Sequence, residues 1–158
     1  MKYISKNIKK QQYFKYYTIL FLVTAMLVFS WYFFTGTSFI WEKDGWMQHY
    51  KSLVYYSEYL RSIINGIITK HQFIIPAWDF NIGEGSDIMA TLHYYVIGDP
   101  FTVFSVFVPE SFMYIYYAGI IILKMYLAGI AFSYLCFKTG RTSNYAILAG
   151  SLTYVFCY

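Results

Sequence analysis

Carboxylates are missing from most of this chain. No Asp or Glu precedes Glu42 and none follows Glu110, so all eight acidic residues lie between those two positions. A soluble domain mixes both signs over its surface, and this segregation excludes an ordinary soluble globule. Charge of either sign is scarce. Charged residues make up 13% and apolar residues 58% of the sequence, with a mean hydropathy of +0.42, against roughly 25% charged in a typical soluble domain. Cysteine is nearly absent. If Cys136 sits near the cytosolic end of one apolar run, Cys157 lies about 13 residues into the next, roughly 20 Å across the bilayer at the helical rise. Depths so different exclude a disulfide between them. A Gly-rich phosphate loop, a Ser-centred nucleophile elbow and a Cys/His zinc pattern are all lacking, which removes support for nucleotide-driven transport or hydrolase chemistry. The net charge of +4 is no nucleic-acid signal, because Lys2, Lys6, Lys9, Lys10 and Lys15 cluster ahead of an apolar run. No nucleic-acid partner is expected. Internal repeats and low-complexity segments are also missing.

What is present organises the chain around apolar runs. Residues 1–16 read as a basic cytosolic lead-in and residues 17–40 as a first transmembrane helix, uncharged throughout. Trp31, Tyr32, Phe33 and Phe34 near its far end suit an interfacial aromatic belt. The run exceeds the usual length of a signal-peptide core, which favours an uncleaved anchor. Residues 41–111 form an acidic loop. Within it an apolar stripe at Trp46, Tyr50, Leu53, Leu60, Ile64 and Ile67 has helical spacing and predicts an amphipathic helix over 46–69. Lys51, Glu58 and Arg61 keep it out of hydrocarbon, so it is expected to lie on the membrane surface, an ordinary helix packed on other extracytoplasmic segments being the alternative. Ser86 is the expected cap of a short helix through Val96. Phe101–Val108, an apolar octet between Pro100 and Pro109, is too short to span. Residues 112–137 read as a second span, 138–143 as a basic cytosolic turn, and 144–158 as the start of a third span that ends short. The sequence thus reads as the N-terminal piece of a longer polytopic protein. Lysines before the first span and Lys138 and Arg141 after the second place both on the cytoplasmic side and the acidic loop outside.

Candidate chemistry gathers in that loop. Glu42 and Asp44 flank Lys43 a few residues beyond the first span, where two carboxylates can share a divalent cation through oxygen ligands. One of them can instead act as a general base. The bland alternatives are a helix cap for Asp44 and a solvated charge for Glu42. A second constellation, Trp78-Asp79-Phe80-Asn81-Ile82-Gly83-Glu84-Gly85-Ser86-Asp87, joins carboxylates to glycines that admit close backbone approach, with aromatics able to stack on a sugar face. Turn chemistry is its alternative reading. His49, His71 and His93 lack metal-ligand spacing, and His93 is the best placed of the three. Lys124 stands near the middle of the second span. A charge there costs on the order of 2.5–3.5 kcal/mol on insertion scales and calls for a partner or a polar cavity, a phosphate headgroup being one such partner.

Several of these motifs, taken in order, resemble the N-terminal region of the YfhO-like family of bacterial multispanning membrane proteins. They are Phe39-Ile40-Trp41-Glu42-Lys43-Asp44-Gly45, Gln48-His49-Tyr50, Trp78-Asp79-Phe80-Asn81-Ile82-Gly83, and Leu92-His93-Tyr94-Tyr95-Val96-Ile97-Gly98-Asp99-Pro100. Leu123-Lys124-Met125-Tyr126-Leu127-Ala128-Gly129 is similar to that family's second span. The resemblance runs over roughly residues 36–158. It implies an all-α integral membrane protein of GT-C-like architecture, with polytopic transmembrane helices and a large extracytoplasmic first loop containing amphipathic helices. It further implies a bacterial plasma-membrane glycosyltransferase, multi-pass with a cytoplasmic N-terminus. Its donor would be a polyprenyl-phosphate-linked sugar and its acceptor a cell-envelope polymer such as teichoic or lipoteichoic acid. Carried over residue by residue, Asp44 becomes the catalytic base and Glu42 its support or a ligand for Mg or Mn. Asp79, Asp87 and His93 fall on motif positions of the substrate site, while Glu84 departs from the expected apolar residue. A transporter or flippase for a lipid-linked intermediate is the competing reading, and Lys124 is the residue that motivates it.

Topology is open to a direct check. In a cysteine-free background, single cysteines at positions 42 and 44 are expected to react with a membrane-impermeant maleimide from outside intact cells; labelling only after lysis would reverse the assigned orientation.

Overall fold

Helices fill the chain because its long apolar runs carry neither proline nor the period-2 alternation of strands. The computed structural model describes residues 10–141 and 143–157, without the side chains of residues 10, 11 and 33. Helix α1 spans Lys10–Thr35, α2 Lys51–Lys70, α3 Ile88–Leu92, α4 Met113–Lys138 and α5 Asn144–Phe156. The expected all-α class needs one amendment. Trp78–Asp79 (β1) and Ser86–Asp87 (β2) pair antiparallel, Trp78 opposite Asp87 and Asp79 opposite Ser86. Two stretches, Gln12–Tyr32 and Glu110–Lys138, are long and apolar enough to cross a membrane.

Two compact units emerge. The first joins α1 to the residues of α4 from Ile121 and to α5, and the second is Ser38–Ile120. In the first, Tyr13, Tyr17, Phe21, Ala25 and Ile147 are buried together. Leu20, Leu22, Val23, Met26 and Leu27 face outward, as an apolar helix does when lipid rather than water surrounds it. Helix–helix association in such a setting rests on close packing and interhelical hydrogen bonds, and both are visible. The Tyr17 hydroxyl donates to the Tyr126 carbonyl at 2.9 Å, and the Tyr13 hydroxyl lies 2.8 Å from Ser133 Oγ. Thr18 Oγ1 and the Tyr126 hydroxyl are 2.8 Å apart. Gly129 makes this possible, since a Cβ there would fall 2.1 Å from Tyr17 Oη and 2.9 Å from Val155 Cγ2.

The second unit has a core of its own. Leu53, Tyr56 and Tyr59 of α2 bury against Ile88, Leu92, Val96, Met113 and Ile120. Complete burial of a side chain such as Leu53 or Ile88 stabilises by about 1.5–3 kcal/mol. Polar ties close the loops. Arg61 donates through Nε to the Val106 carbonyl at 3.0 Å and through Nη2 to the carbonyls of Ser105 and Val108. These three acceptors lie at and just beyond the end of the 3-10 helix Thr102–Phe107, where the Ser105 carbonyl also accepts from the Val108 N–H. The Tyr59 hydroxyl holds the Pro76 carbonyl at 2.9 Å, and the Tyr116 hydroxyl holds that of Phe101.

Several boundaries differ from those read along the sequence. Helix α1 begins at Lys10, well inside the expected lead-in, because Tyr13 finds burial and a hydrogen bond there; residues 1–9 of that lead-in lie outside the described residues. It ends at Thr35, before Gly36 at φ +65°. The helix expected over 46–69 runs as a π-helix, Gly45–Tyr50, continued by α2. Its buried face is Leu53, Tyr56 and Tyr59, not the full predicted stripe: Trp46, Ile64 and Ile67 are exposed. Packing on the 3-10 helix and the 93–97 turn occupies this face, so the neighbouring segments, not a lipid surface, cover it. The cap of α3 is Asp87, not Ser86. Its Oδ1 accepts from the Ala90 N–H at 2.6 Å, while Ser86 is engaged in the strand pairing. That helix passes at His93 into a π-helical turn, His93–Ile97. The octet 101–108 winds as 3-10 helix on α2. Ser143 caps α5, which covers 13 residues.

Gly129→Leu is expected to separate the helices of the first unit, because overpacking alone costs about 1–3 kcal/mol and the Tyr17 bond is lost with it. Thermal unfolding of the detergent-solubilised protein reads this directly; an unchanged midpoint would mean that Gly129 is not the point of contact.

Candidate functional site

The residues singled out in the acidic loop separate into two groups once their partners are seen. The first begins at the end of the Trp41–Asp44 turn. Lys43 sits there in the left-handed region at φ +63°, a conformation that costs a non-glycine residue of order 1–3 kcal/mol and concentrates at functional sites. Glu42 and Asp44 flank it and are both exposed. Asp44 occupies the position before the π-helix Gly45–Tyr50, yet its side chain caps nothing. It accepts one hydrogen bond, from Gln48 Nε2 at 3.2 Å. A carboxylate has about four lone-pair sites, so most of its accepting capacity stays open to a ligand.

Gln48 links this carboxylate to a distant part of the sequence. Its Oε1 accepts from the Tyr95 hydroxyl at 2.7 Å, and the Tyr95 ring meets His49 edge-on at 5.3 Å. Tyr95 belongs to the π-helical turn His93–Ile97. Two π-helical turns thus lie side by side, each a widened loop of backbone of the kind found at functional sites. Trp46 and Tyr50 stack at 5.3 Å with an interplanar angle of 13°, and Trp46 is half exposed. That ring pair forms a flat apolar wall of the type on which sugar faces rest. His93 is exposed and its Nδ1 lies 2.6 Å from the Ala90 carbonyl. A carbonyl can only accept, so Nδ1 carries the proton and Nε2 of the neutral ring is left as an acceptor.

Asp79 and Asp87 are committed to the fold. Asp79 Oδ2 accepts from the Tyr55 hydroxyl at 2.5 Å, and its Oδ1 accepts from the backbone and side-chain amides of Asn81 at 2.8 and 2.9 Å. The Tyr55 hydroxyl first, then the Asn81 amides, hold its pKa below the usual carboxylate value. In return burial, followed by the Asp79 bond and charge, pushes the Tyr55 phenol well above its ordinary range. Such a carboxylate stays ionised and makes a poor proton acceptor. Asp87 spends Oδ1 on capping α3. The glycine expected to admit a ligand serves the fold as well. Gly85 sits at φ +107° with Phe80 and Trp78 so close that a Cβ would lie 3.1 and 3.2 Å from their rings.

Lys124 lies in the other unit, on an exposed stretch of α4 beside Leu123 and Leu127. Among the described residues no group of three or more His, Cys, Asp and Glu side chains comes together to hold a metal ion. Glu42 and Asp44 are the carboxylates that would hold a divalent cation here, as a pair whose remaining positions water and phosphate oxygens fill. Spacing could not reveal Gln48, Tyr95 or Tyr55 as partners, because their contacts bridge 24 or 47 positions; the one legible hint was their place in or beside the ordered motifs.

Replacing Tyr55 by Phe is expected to raise the Asp79 titration point, read from its side-chain carboxyl carbon by NMR. Because the native value is depressed, the stability it confers is present above the unfolded value and fades as pH falls through the folded one. The wild type should accordingly lose its stability advantage over Tyr55→Phe on acidification. An unmoved titration point would remove the hydrogen bond from the account.

Among curated proteins and among solved structures nothing matches the chain. The profile of a family described as bacterial membrane protein YfhO matches residues 14–158, nearly its whole length, taking in both apolar helices and the entire second unit. The chain belongs to the YfhO family of bacterial membrane proteins.

Proposed function

We propose that this protein belongs to a membrane glycosyltransferase that moves a sugar from a polyprenyl-phosphate donor to a cell-envelope polymer, (lipo)teichoic acid being the acceptor the family resemblance suggests. The observation that carries the reading is the state of Asp44. Among the carboxylates in the family-like motifs, Asp79 accepts three hydrogen bonds and Asp87 caps α3, whereas Asp44 is exposed and caps no helix, its one hydrogen bond coming from the Gln48 side chain.

In the proposed reaction Asp44 accepts the proton of an acceptor hydroxyl as its oxygen attacks the anomeric carbon. The bond from that carbon to the donor phosphate oxygen breaks, and its electron pair leaves with the polyprenyl phosphate. The product is a new glycosidic bond, with the proton left on the carboxylate. Gln48 and Tyr95 orient the base. Trp46 and Tyr50 offer the sugar an apolar wall, and the donor's tail stays in lipid. Glu42 supports the base from the other side of Lys43. General-base catalysis contributes on the order of 10²–10⁴ in rate. Asp79, Asp87 and His93 are the proposed substrate-binding residues, and His93 offers Nε2 as an acceptor.

Lys124 favours a second reading, a transporter or flippase for a lipid-linked intermediate. A lysine exposed along a membrane-length helix suits the passage of a phosphate group. The two readings part in one reconstitution. With full-length protein and a polyprenyl-phosphate sugar, Asp44→Asn is expected to lower transfer to a supplied acceptor by at least about 10²-fold while membrane insertion is kept. Full activity in Asp44→Asn, with translocation abolished by Lys124→Ala, would replace the transferase by the flippase.

A further inference from the structure

The helical unit contains cations and no carboxylate side chain. Its two segments, Met1–Thr37 and Ile121–Tyr158, lie wholly outside the 42–110 stretch that holds every Asp and Glu. Arg141 is one of these cations, exposed in the turn between α4 and α5. It borders a cleft of ≈ 390 Å³ between those helices, with Phe132, Ala146, Ile147 and Gly150 as its apolar walls. That volume falls within the range of small-molecule sites. The missing side chain of Gly150 leaves the floor open, since a Cβ there would already approach Phe132 to 3.3 Å.

The mouth of the cleft is polar. Ser143 lines it, and its Oγ accepts from the Ala146 N–H at a long 3.4 Å, so the hydroxyl proton remains available to a ligand. The 13-residue α5 starts at this point and directs the positive end of its dipole to the same place. Lys138 adds a further positive charge in the last turn of α4, its ammonium 5.5 Å from the Tyr134 ring centre. A cationic mouth over an apolar cleft, at the end of a membrane-length helix and with no acid in the unit to neutralise it, matches one chemistry: a phosphate diester carried on an acyl chain.

We propose that the α4–α5 cleft binds an anionic phospholipid, Arg141 and Ser143 holding the phosphate and the Phe132–Ile147 walls taking the start of the acyl chain. The site is separate from Asp44 and does not depend on the transferase reading. Native mass spectrometry of the full-length protein released from nanodiscs of equal phosphatidylglycerol and phosphatidylcholine tests it. Wild type should retain the anionic lipid in preference. Arg141→Gln should reduce that preference by on the order of 10-fold, the value of one charge-assisted hydrogen bond. Ala146→Leu, on an exposed helical position that lines the cleft, should reduce retention of both lipids. Lys15→Gln, which removes a cation that does not line the cleft, should change neither. Equal retention of the two lipids by wild type, or an unaltered preference in Arg141→Gln, would overturn the proposal. So would equal losses in Lys15→Gln and Arg141→Gln, or displacement of the lipid by inorganic phosphate, which would mark a site for free anions.

Discussion

The Tyr17 hydroxyl donates to the Tyr126 carbonyl across the bare backbone of Gly129, and the helical unit is assembled around that contact. Apolar faces alone cannot organise such a unit, because lipid solvates Leu as well as another helix does. What discriminates one arrangement from another is a place where backbones come close and a polar group that must be satisfied. Tyr13 with Ser133, one turn earlier along α1, and Thr18 with Tyr126, beside Tyr17, repeat the same device. Ser133 in turn donates to the Gly129 carbonyl at 2.8 Å, so the small-residue seam and the hydrogen-bonded seam coincide.

The second unit meets the opposite problem. It must hold irregular segments in place near water, where a stripe of apolar residues is too short to define every loop. Tyrosine and arginine do that work by joining a buried body to a polar tip. Tyr55 grips Asp79, Tyr59 grips the Pro76 carbonyl, and Arg61 gathers the carbonyls that close the 3-10 helix. The aromatic content of 24% therefore has two uses. Rings fill the cores, and hydroxyls satisfy backbone groups that helices and strands leave unpaired. The consequence for function is a supported scaffold from which Asp44 projects with little to bind inside the protein.

Legibility from the sequence followed the range of the interaction responsible. The helix after Gly45, the apolar spans and the turn chemistry of Asp79 with Asn81 depend on neighbours a few residues apart, and spacing reveals them. The cap of α3 falls one residue later than spacing suggests because Ser and Asp are both good caps and the helix begins only at Ile88, directly after Asp87. The predicted stripe on α2 mixed true core positions with exposed ones, since periodicity gives a helix face but not how much of it a partner covers. Arg61 was read only as a charge that bars the bilayer; its three carbonyl partners are about 45 residues away. The π-helical turns at 45–50 and 93–97 have no simple residue code and were invisible until the backbone was seen.

Composition and order by themselves determined the broad character of this protein: two membrane-length apolar helices, a loop that monopolises negative charge, and membership of a bacterial membrane family. Those properties are sums over many residues or matches of ordered motifs, and folding does not alter them. Only the tertiary structure decided which carboxylates remain open to a ligand. Asp44, Asp79 and Asp87 look alike along the chain, and they are separated by the donors that folding brings to each: one amide for the first, a phenol and two amides for the second, and a helix terminus for the third.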